Sequence, residues 1–339
     1  MSDFAGRTAV VVGAGAFGSV VAVELARRGA DVTVIDARPL AQNASGIAAG
    51  MLAPAFEAVL DPVSAGCFDL FVRARDLWLS LDDSLEATGL DRCGALLRAP
   101  AADLDRIEAS LNLEGARCER VGDAIYTPED WRLEPRLALA ALRRELVRNG
   151  GRTRQGEAGQ AQAGSVTLKD GSAITADIVV LACGYDGLAL APELSVLTPI
   201  KGQLLRFPDV ALADGPILRS LLGYVVPSRE GAVAGASMEE GLCDLSLSPD
   251  VTDRLRVEAA WLAPGLGLAH ANGFAGVRAA SPDGLPLIGR STSGVWLAAG
   301  ARRNGWLLAP LAAAVLCRAI AQRPAVGDAL FSPGRFSPG

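Results

Sequence analysis

The sequence predicts an α/β protein with two interleaved domains, one built on a parallel sheet and one mainly on an antiparallel sheet. Three observations predict it. Short apolar runs that suit buried parallel strands lie near the start, middle and end of the chain, at Thr8–Val12, Ile178–Ala182 and Trp296–Ala299. Segments of strand and turn character lie between them, over Gln203–Phe207 and Tyr224–Ala236. The first run also opens a strand–helix–strand unit of ordinary length. Residues 1–85, 135–198 and 281–339 are therefore assigned to the first domain, and 86–134 with 199–280 to the second.

Each element has a local reason. After the first strand, Val20, Val23, Leu25 and Ala26 share a helical face over Ser19–Arg28, and Gly29 ends the helix. Asp31–Ile35 is the second strand, closed by Asp36. Small residues fill Ala44–Leu52; the run reads either as a flexible loop or as backbone laid against a large planar ligand. Further helices are expected over Leu70–Leu85, Arg136–Asn149, Thr252–Leu262 and Leu307–Gln322. Ser165–Asp170 and Ala173–Asp177 flank Gly171 as a hairpin. From Arg323 onward three prolines predict irregular structure.

Composition narrows the function. The chain has 339 residues, half of them hydrophobic, enough for a substantial core. A net charge of −6 argues against nucleic acid as a partner, because phosphate binding needs a basic surface. The six cysteines are scattered and none forms a Cys-x-x-Cys pair, which argues against zinc, dithiol chemistry and a disulfide framework. The single histidine, His270, sits in a loop-like stretch and is expected to be structural or exposed, which leaves no histidine-based triad. No secretory signal is visible. The late apolar stretch Trp306–Cys317 is shorter than the ~20 residues that span a bilayer, so the cytoplasm is the expected location.

The strongest local signal is Gly13-Ala14-Gly15-Ala16-Phe17-Gly18, set between the first strand and the first helix. Gly13 allows the tight turn, Gly15 lets backbone approach a pyrophosphate, and Gly18 lets helix and strand pack closely. The helix N-terminus offers free N–H groups and partial positive charge to phosphates. Asp36, ending the second strand, is positioned for ribose hydroxyls; its alternative role is to cap the Asp36-Ala37-Arg38-Pro39 turn. The motif defines a Rossmann-like dinucleotide site and fits NAD and FAD equally.

Segments along nearly the whole chain carry a more specific resemblance. They are the Gly-rich turn, Ala48-Ala49-Gly50-Met51-Leu52, Pro199-Ile200-Lys201-Gly202-Gln203, Gly223-Tyr224-Val225-Val226-Pro227, Ala275-Gly276-Val277-Arg278, Asp283-Gly284-Leu285-Pro286-Leu287-Ile288-Gly289, and Gly300 through Pro310. Their order and spacing resemble the D-amino acid oxidase superfamily, and within it the glycine oxidases of thiamine biosynthesis. The resemblance implies a Rossmann-like FAD-binding domain, a discontinuous substrate domain and FAD held non-covalently in extended form. Adenosine would lie near Asp36, Ala37 and Ala158, and the pyrophosphate on Ala16 and Phe17. Ala44, Ser45, Ala49, Gly50 and Met51 would meet the flavin. Cys183 and Gly184 would border the cofactor. Ala301, Arg302, Arg303, Asn304, Gly305, Trp306 and Leu307 would close around its pyrimidine edge.

The same resemblance implies three substrate residues. Arg278 would clamp the carboxylate in a bidentate fork, Tyr224 would add a hydroxyl to it, and Arg303 would lie between flavin and substrate. No side chain is expected to act as catalyst, since a hydride passes to the flavin and positioning does the rest. The implied activity is oxidation of glycine or a small D-amino acid to the imine or 2-oxo acid, with molecular oxygen giving hydrogen peroxide. A dehydrogenase on similar amines, passing electrons to a quinone or other carrier, is the alternative. Related enzymes are often homo-oligomers, so an oligomer is allowed. Three positions depart from the family pattern: Ala301 and Leu222 stand where histidine is common, and Arg302 where an aromatic is common. The pocket has therefore lost polar groups near the flavin. Lys201 reads as shaping its turn or as an aid to oxygen reaction.

Overall fold

A computed structural model describes residues 3–210, 212 and 215–336. Eight α-helices run in chain order: α1 Ala16–Arg27, α2 Ala44–Ile47, α3 Pro54–Leu60, α4 Phe68–Asp82, α5 Ala101–Glu114, α6 Pro135–Arg148, α7 Pro249–Leu262 and α8 Gly305–Ile320. The first sheet has six strands in the order Leu287–Arg290, Trp296–Ala299, Ile178–Leu181, Thr8–Val12, Asp31–Asp36, Arg152–Gln155. All neighbours are parallel except the first two, which form an antiparallel edge. The first strand lies in the interior of this sheet, and its Ala9, Val10, Val11 and Val12 are all buried. That double burial is what its unbroken apolar run encodes.

Small residues bring the layers together. Helix α1 buries Ala16, Gly18, Val20, Val21, Ala22, Val23 and Ala26 between the sheet and α8. Each fully buried valine there contributes roughly 1.5–3 kcal/mol. Gly18 has no room for a side chain, because a Cβ would overlap the Gly13 carbonyl oxygen. Helix α8 buries an almost continuous face from Trp306 to Ile320 and tolerates Pro310 near its start. Trp306 stacks in tilted fashion on Trp78 of α4 at 5.9 Å.

The second sheet has nine strands. Its spine is Thr198–Phe207, paired on one side with Asn272–Ala280 along its whole length and on the other with Gly231–Gly235. Tyr224–Ser228, Ile217–Arg219, Ala95–Arg98, Ala124–Thr127 and Glu119–Val121 continue it, and the short Glu239–Glu240 pairs with the spine at Ile200 and Lys201. Helix α7 covers one face through Val251, Leu255, Ala259 and Leu262. The sheet is mainly antiparallel, as expected, with one parallel pair: Ile217–Arg219 runs parallel to Ala95–Leu97. Those strands belong to two separate stretches of chain, so no hairpin constrains their direction.

Two readings of the sequence change in detail. The small-residue run 44–52 is not a loop throughout, since it forms helix α2 and the short strand Met51–Leu52, which pairs with Trp131–Arg132. The segment after Arg323 includes 3-10 turns at Asp328–Phe331 and Pro333–Phe336. Among the described residues no helix is long and apolar enough to cross a membrane, and no cluster could hold a metal ion. His270 is exposed.

Candidate active site

A cleft of about 570 Å³ opens along the C-terminal ends of the parallel strands. This is where ligands sit in open α/β sheets. Asp36, Ala37 and Ala158 line one end, and Gly15, Ala16 and Phe17 line the turn into α1. Ala44, Ser45, Cys183 and Gly184 line the middle. Ala301, Arg302, Arg303, Gly305 and Trp306 line the far end. Two helix N-termini therefore border one cleft, α1 at the turn and α8 at the far end. Neither carries an acidic residue in its first turn, so both keep their positive ends unneutralised.

The cleft is braced by hydrogen bonds to backbone. Ser45 Oγ accepts the Ala16 amide at 2.9 Å, and Trp306 Nε1 donates to the Ser45 carbonyl at 3.0 Å. Asn43 caps α2 by accepting the Gly46 amide at 3.1 Å, and Arg206 Nη2 donates to the Ile47 carbonyl at 2.8 Å. Asp36 accepts the Ala14 amide at 2.7 Å with one oxygen and the Arg38 amide at 2.8 Å with the other. It thus ties the Gly-rich turn to the strand end and also caps its own turn, the alternative the sequence had offered. Gly18 and Leu307 line neither cavity: Gly18 packs on Gly13, and Leu307 is fully buried in the core.

A smaller chamber of about 220 Å³ adjoins the cleft. Ala44, Gly276, Arg278, Arg303 and Trp306 face both spaces. Ala49, Gly50, Met51 and Asn304 line the chamber rather than the cleft. Tyr224 lines it from the neighbouring strand. Strand pairing sets Arg278 opposite Ile200, two residues from Gly202. Its guanidinium lies on Gly202, where a Cβ would fall inside it. Arg278 has no carboxylate partner among the described residues; its one hydrogen bond, to the Ser237 carbonyl, is long at 3.4 Å. Burial pushes its pKa down, although part of its surface opens to the chamber. Burial likewise pushes Tyr224 up, against the pull of Arg278. An unpaired guanidinium in such a setting is a receptor for an anion.

Several polar residues at the site were not read from sequence. Glu57 of α3 lines the chamber with its side chain 5% exposed. Its Oε1 accepts from Arg219 Nη2 at 3.1 Å and from Arg303 Nη2 at 3.0 Å. Burial would raise the Glu57 pKa, but Arg303 and Arg219 bring it below the usual carboxylate value. Arg303 is correspondingly raised by Glu57. Asp130, wholly buried, accepts the Ala55 and Phe56 amides at the start of α3, and burial pushes it up to about 7. Arg302 has φ 48° and pairs with Asp61. The signal for Glu57 was available, as a lone charge in the apolar run Pro54-Ala-Phe-Glu-Ala-Val-Leu60.

The small-residue cleft, the two helix N-termini free of acidic residues and the adjoining cationic chamber fit a dinucleotide-dependent redox enzyme. More particularly, the chain belongs to the FAD dependent oxidoreductase family known as DAO, whose model matches residues 8–319. It is an FAD-dependent oxidoreductase with a Rossmann-like cofactor fold. It is 34% identical, over 96% of its length, to the bifunctional protein ThiO/ThiG of Synechocystis, and covers 54% of that protein. It is 29% identical, over 94% of its length, to the tRNA 5-methylaminomethyl-2-thiouridine biosynthesis bifunctional protein MnmC of Chromohalobacter salexigens, again covering 54%. The chain thus spans about half the length of these two relatives. It is 28% identical to the glycine oxidase of Pseudomonas aeruginosa, over 97% of this chain and 98% of that one. Its fold matches the crystal structure of glycine oxidase from Geobacillus kaustophilus with a TM-score of 0.85 at 24% identity, over 98% of this chain and 100% of that one.

Proposed function

We propose that the protein oxidises the amino group of glycine or a small D-amino acid, giving the imine or 2-oxo acid and, with molecular oxygen, hydrogen peroxide. The observation that carries this reading is Arg278, an uncommitted guanidinium on the wall shared by chamber and cleft. FAD, when bound, supplies the acceptor for a hydride from the substrate Cα. Residues 1–85, 135–198 and 281–339 are taken as the part that holds it, and 86–134 with 199–280 as the substrate part. Arg278 grips the substrate carboxylate and the Tyr224 hydroxyl adds a second bond, which fixes the Cα toward the cleft. Arg303 stands where negative charge would develop at the cleft's far end. Leu60, Leu204, Met51 and Met238 line the chamber beside three guanidinium groups, whose excess of positive charge favours the uncharged amine. Among the described residues Glu57 is the one carboxylate that lines the chamber, and its Oε1 is shared by two arginines. The likeness to ThiO/ThiG supports a role in thiamine biosynthesis.

Leu221 and Leu222 stand exposed beside the chamber, 44% and 79% accessible. An N-substituted glycine could extend past them, so secondary amines are a second reading. The net charge of −6 speaks against such a group carried on RNA. The test is anaerobic flavin reduction by glycine, sarcosine, D-alanine, D-proline and larger D-amino acids, followed by mixing with air. Fast bleaching by a small amino acid and rapid reoxidation with peroxide are expected. A stable reduced flavin in air would replace the oxidase with a dehydrogenase serving a quinone or carrier. No bleaching by any amine would end the reading.

A further inference from the structure

Three guanidinium groups line the chamber, Arg219, Arg278 and Arg303, against a single carboxylate, Glu57. The three are not equivalent. Arg219 is 4% exposed at its side chain and donates to Glu57; its Nη1 is 4.0 Å from Asp130, which lies behind the chamber wall. Arg303 donates to the same Glu57 oxygen. Arg278 alone has no acidic partner among the described residues. Glu57 therefore does two things at once. It holds Arg303 at the boundary of cleft and chamber, and it reduces the charge excess that Arg219 and Arg303 would otherwise present. A second anionic group brought near Arg303 would meet the Glu57 charge already there. Like charges a few ångströms apart in a partly buried site repel strongly enough to change binding by an order of magnitude or more.

We propose that Glu57 is a positioning and specificity-determining residue: it fixes Arg303 and confines anion recognition to Arg278, so that the chamber takes monocarboxylates and discriminates against dicarboxylates. The inference rests on the reading of Arg278 as carboxylate clamp. It is tested on the FAD-loaded enzyme without turnover, from the flavin absorbance change on titration with acetate and with malonate, and from the flavin midpoint potential. Glu57→Gln keeps an acceptor oxygen for Arg303 and removes the charge. It is expected to raise malonate affinity relative to acetate at least tenfold. It should also shift flavin reduction toward the reduced form by about tenfold, or about 30 mV for a two-electron couple.

The double variant Glu57→Gln/Arg219→Met restores the original charge count and relieves the buried arginine. It is expected to return both quantities most of the way to wild type, which a merely structural role would not produce. Unchanged selectivity and potential in Glu57→Gln, or no reversal in the double variant, overturns the proposal. An Arg278→Ala enzyme that binds acetate as wild type does would instead defeat the clamp, and this inference with it. That outcome is distinct, because it appears with Glu57 intact.

Discussion

The cleft proposed for the cofactor and the chamber proposed for the substrate share a wall but offer different groups to a ligand. For most of its length the cleft offers backbone, small side chains and two helix ends. The chamber offers long charged side chains brought from four separate segments: Glu57 on α3, Arg219 and Arg278 on two strands, and Arg303 just before α8. A backbone site tolerates loss of any one side chain, because its amides belong to every residue. A site of a few charges concentrates its recognition in each of them.

The sharpest break of this comparison is Arg278→Ala. We expect kcat/KM for the preferred amino acid to fall by about two to three orders of magnitude, the roughly 3–4 kcal/mol that removal of one partner of a buried charge pair costs. FAD content, read from the visible spectrum, should not change. Gly202→Ala comes next. Its new methyl group displaces the Arg278 guanidinium, so KM should rise about 10- to 100-fold, the scale of overpacking at roughly 1–3 kcal/mol, again with FAD retained. If FAD were lost instead, the two regions would not be separable.

Ser45→Ala probes the cleft. It removes the acceptor for the Ala16 amide and should weaken FAD about fivefold, near 1 kcal/mol, while KM stays within twofold. Fluorescence titration of the apoprotein with FAD measures it, and a raised KM at unchanged FAD affinity would contradict the division. The smallest effect on either site is one felt through stability and pH. Folding lifts Asp130 from the ordinary 3.8 to about 7, so the native state holds more protons than the unfolded chain between those values. Stability therefore falls as pH rises from about 4 to about 7, then levels. Asp130→Asn removes this contribution. Unfolding free energies from urea denaturation at pH 5 and pH 7.5 should differ less in the variant than in wild type, by roughly 2–3 kcal/mol. Parallel changes in both proteins would refute it.

The contrast also explains what could be read in advance. The turn into α1, the strand at Ile178 and the last helix were legible because their signals are local: glycine spacing, β-branched runs and helical periodicity. Even so, α1 begins at Ala16 rather than Ser19, because Gly15 already acts as its N-cap in extended conformation. The spine strand starts at Thr198 rather than Gln203. Pro199, Lys201 and Gly202 are poor strand formers, and pairing with Asn272–Ala280 imposes the conformation on them. Helix α5 and the short strands between residues 86 and 134 went unread, since α5 buries only Leu104, Ile107 and Leu111 on a thin stripe. The chamber's charge network was the least legible. Glu57 and Arg219 meet across 162 positions of sequence, and no local pattern encodes such a meeting.

The contact between α1 and α8 has a consequence for how the protein is made. The helix that starts at Ala16 finishes its packing only against residues 305–320. The strand Thr8–Val12 pairs with Ile178–Leu181, which in turn pairs with Trp296–Ala299. The early part of a growing chain must therefore wait for the late part before the cleft has both its walls. Such long-range closure is slow and leaves apolar surface exposed in the meantime. The cleft is lined by residues from 12–17 and from 298–306, so FAD, when bound there, would act on the ribosome's product as a final latch. Nascent chains released before α8 emerges should be colourless and prone to capture by chaperones, whatever their other elements have achieved.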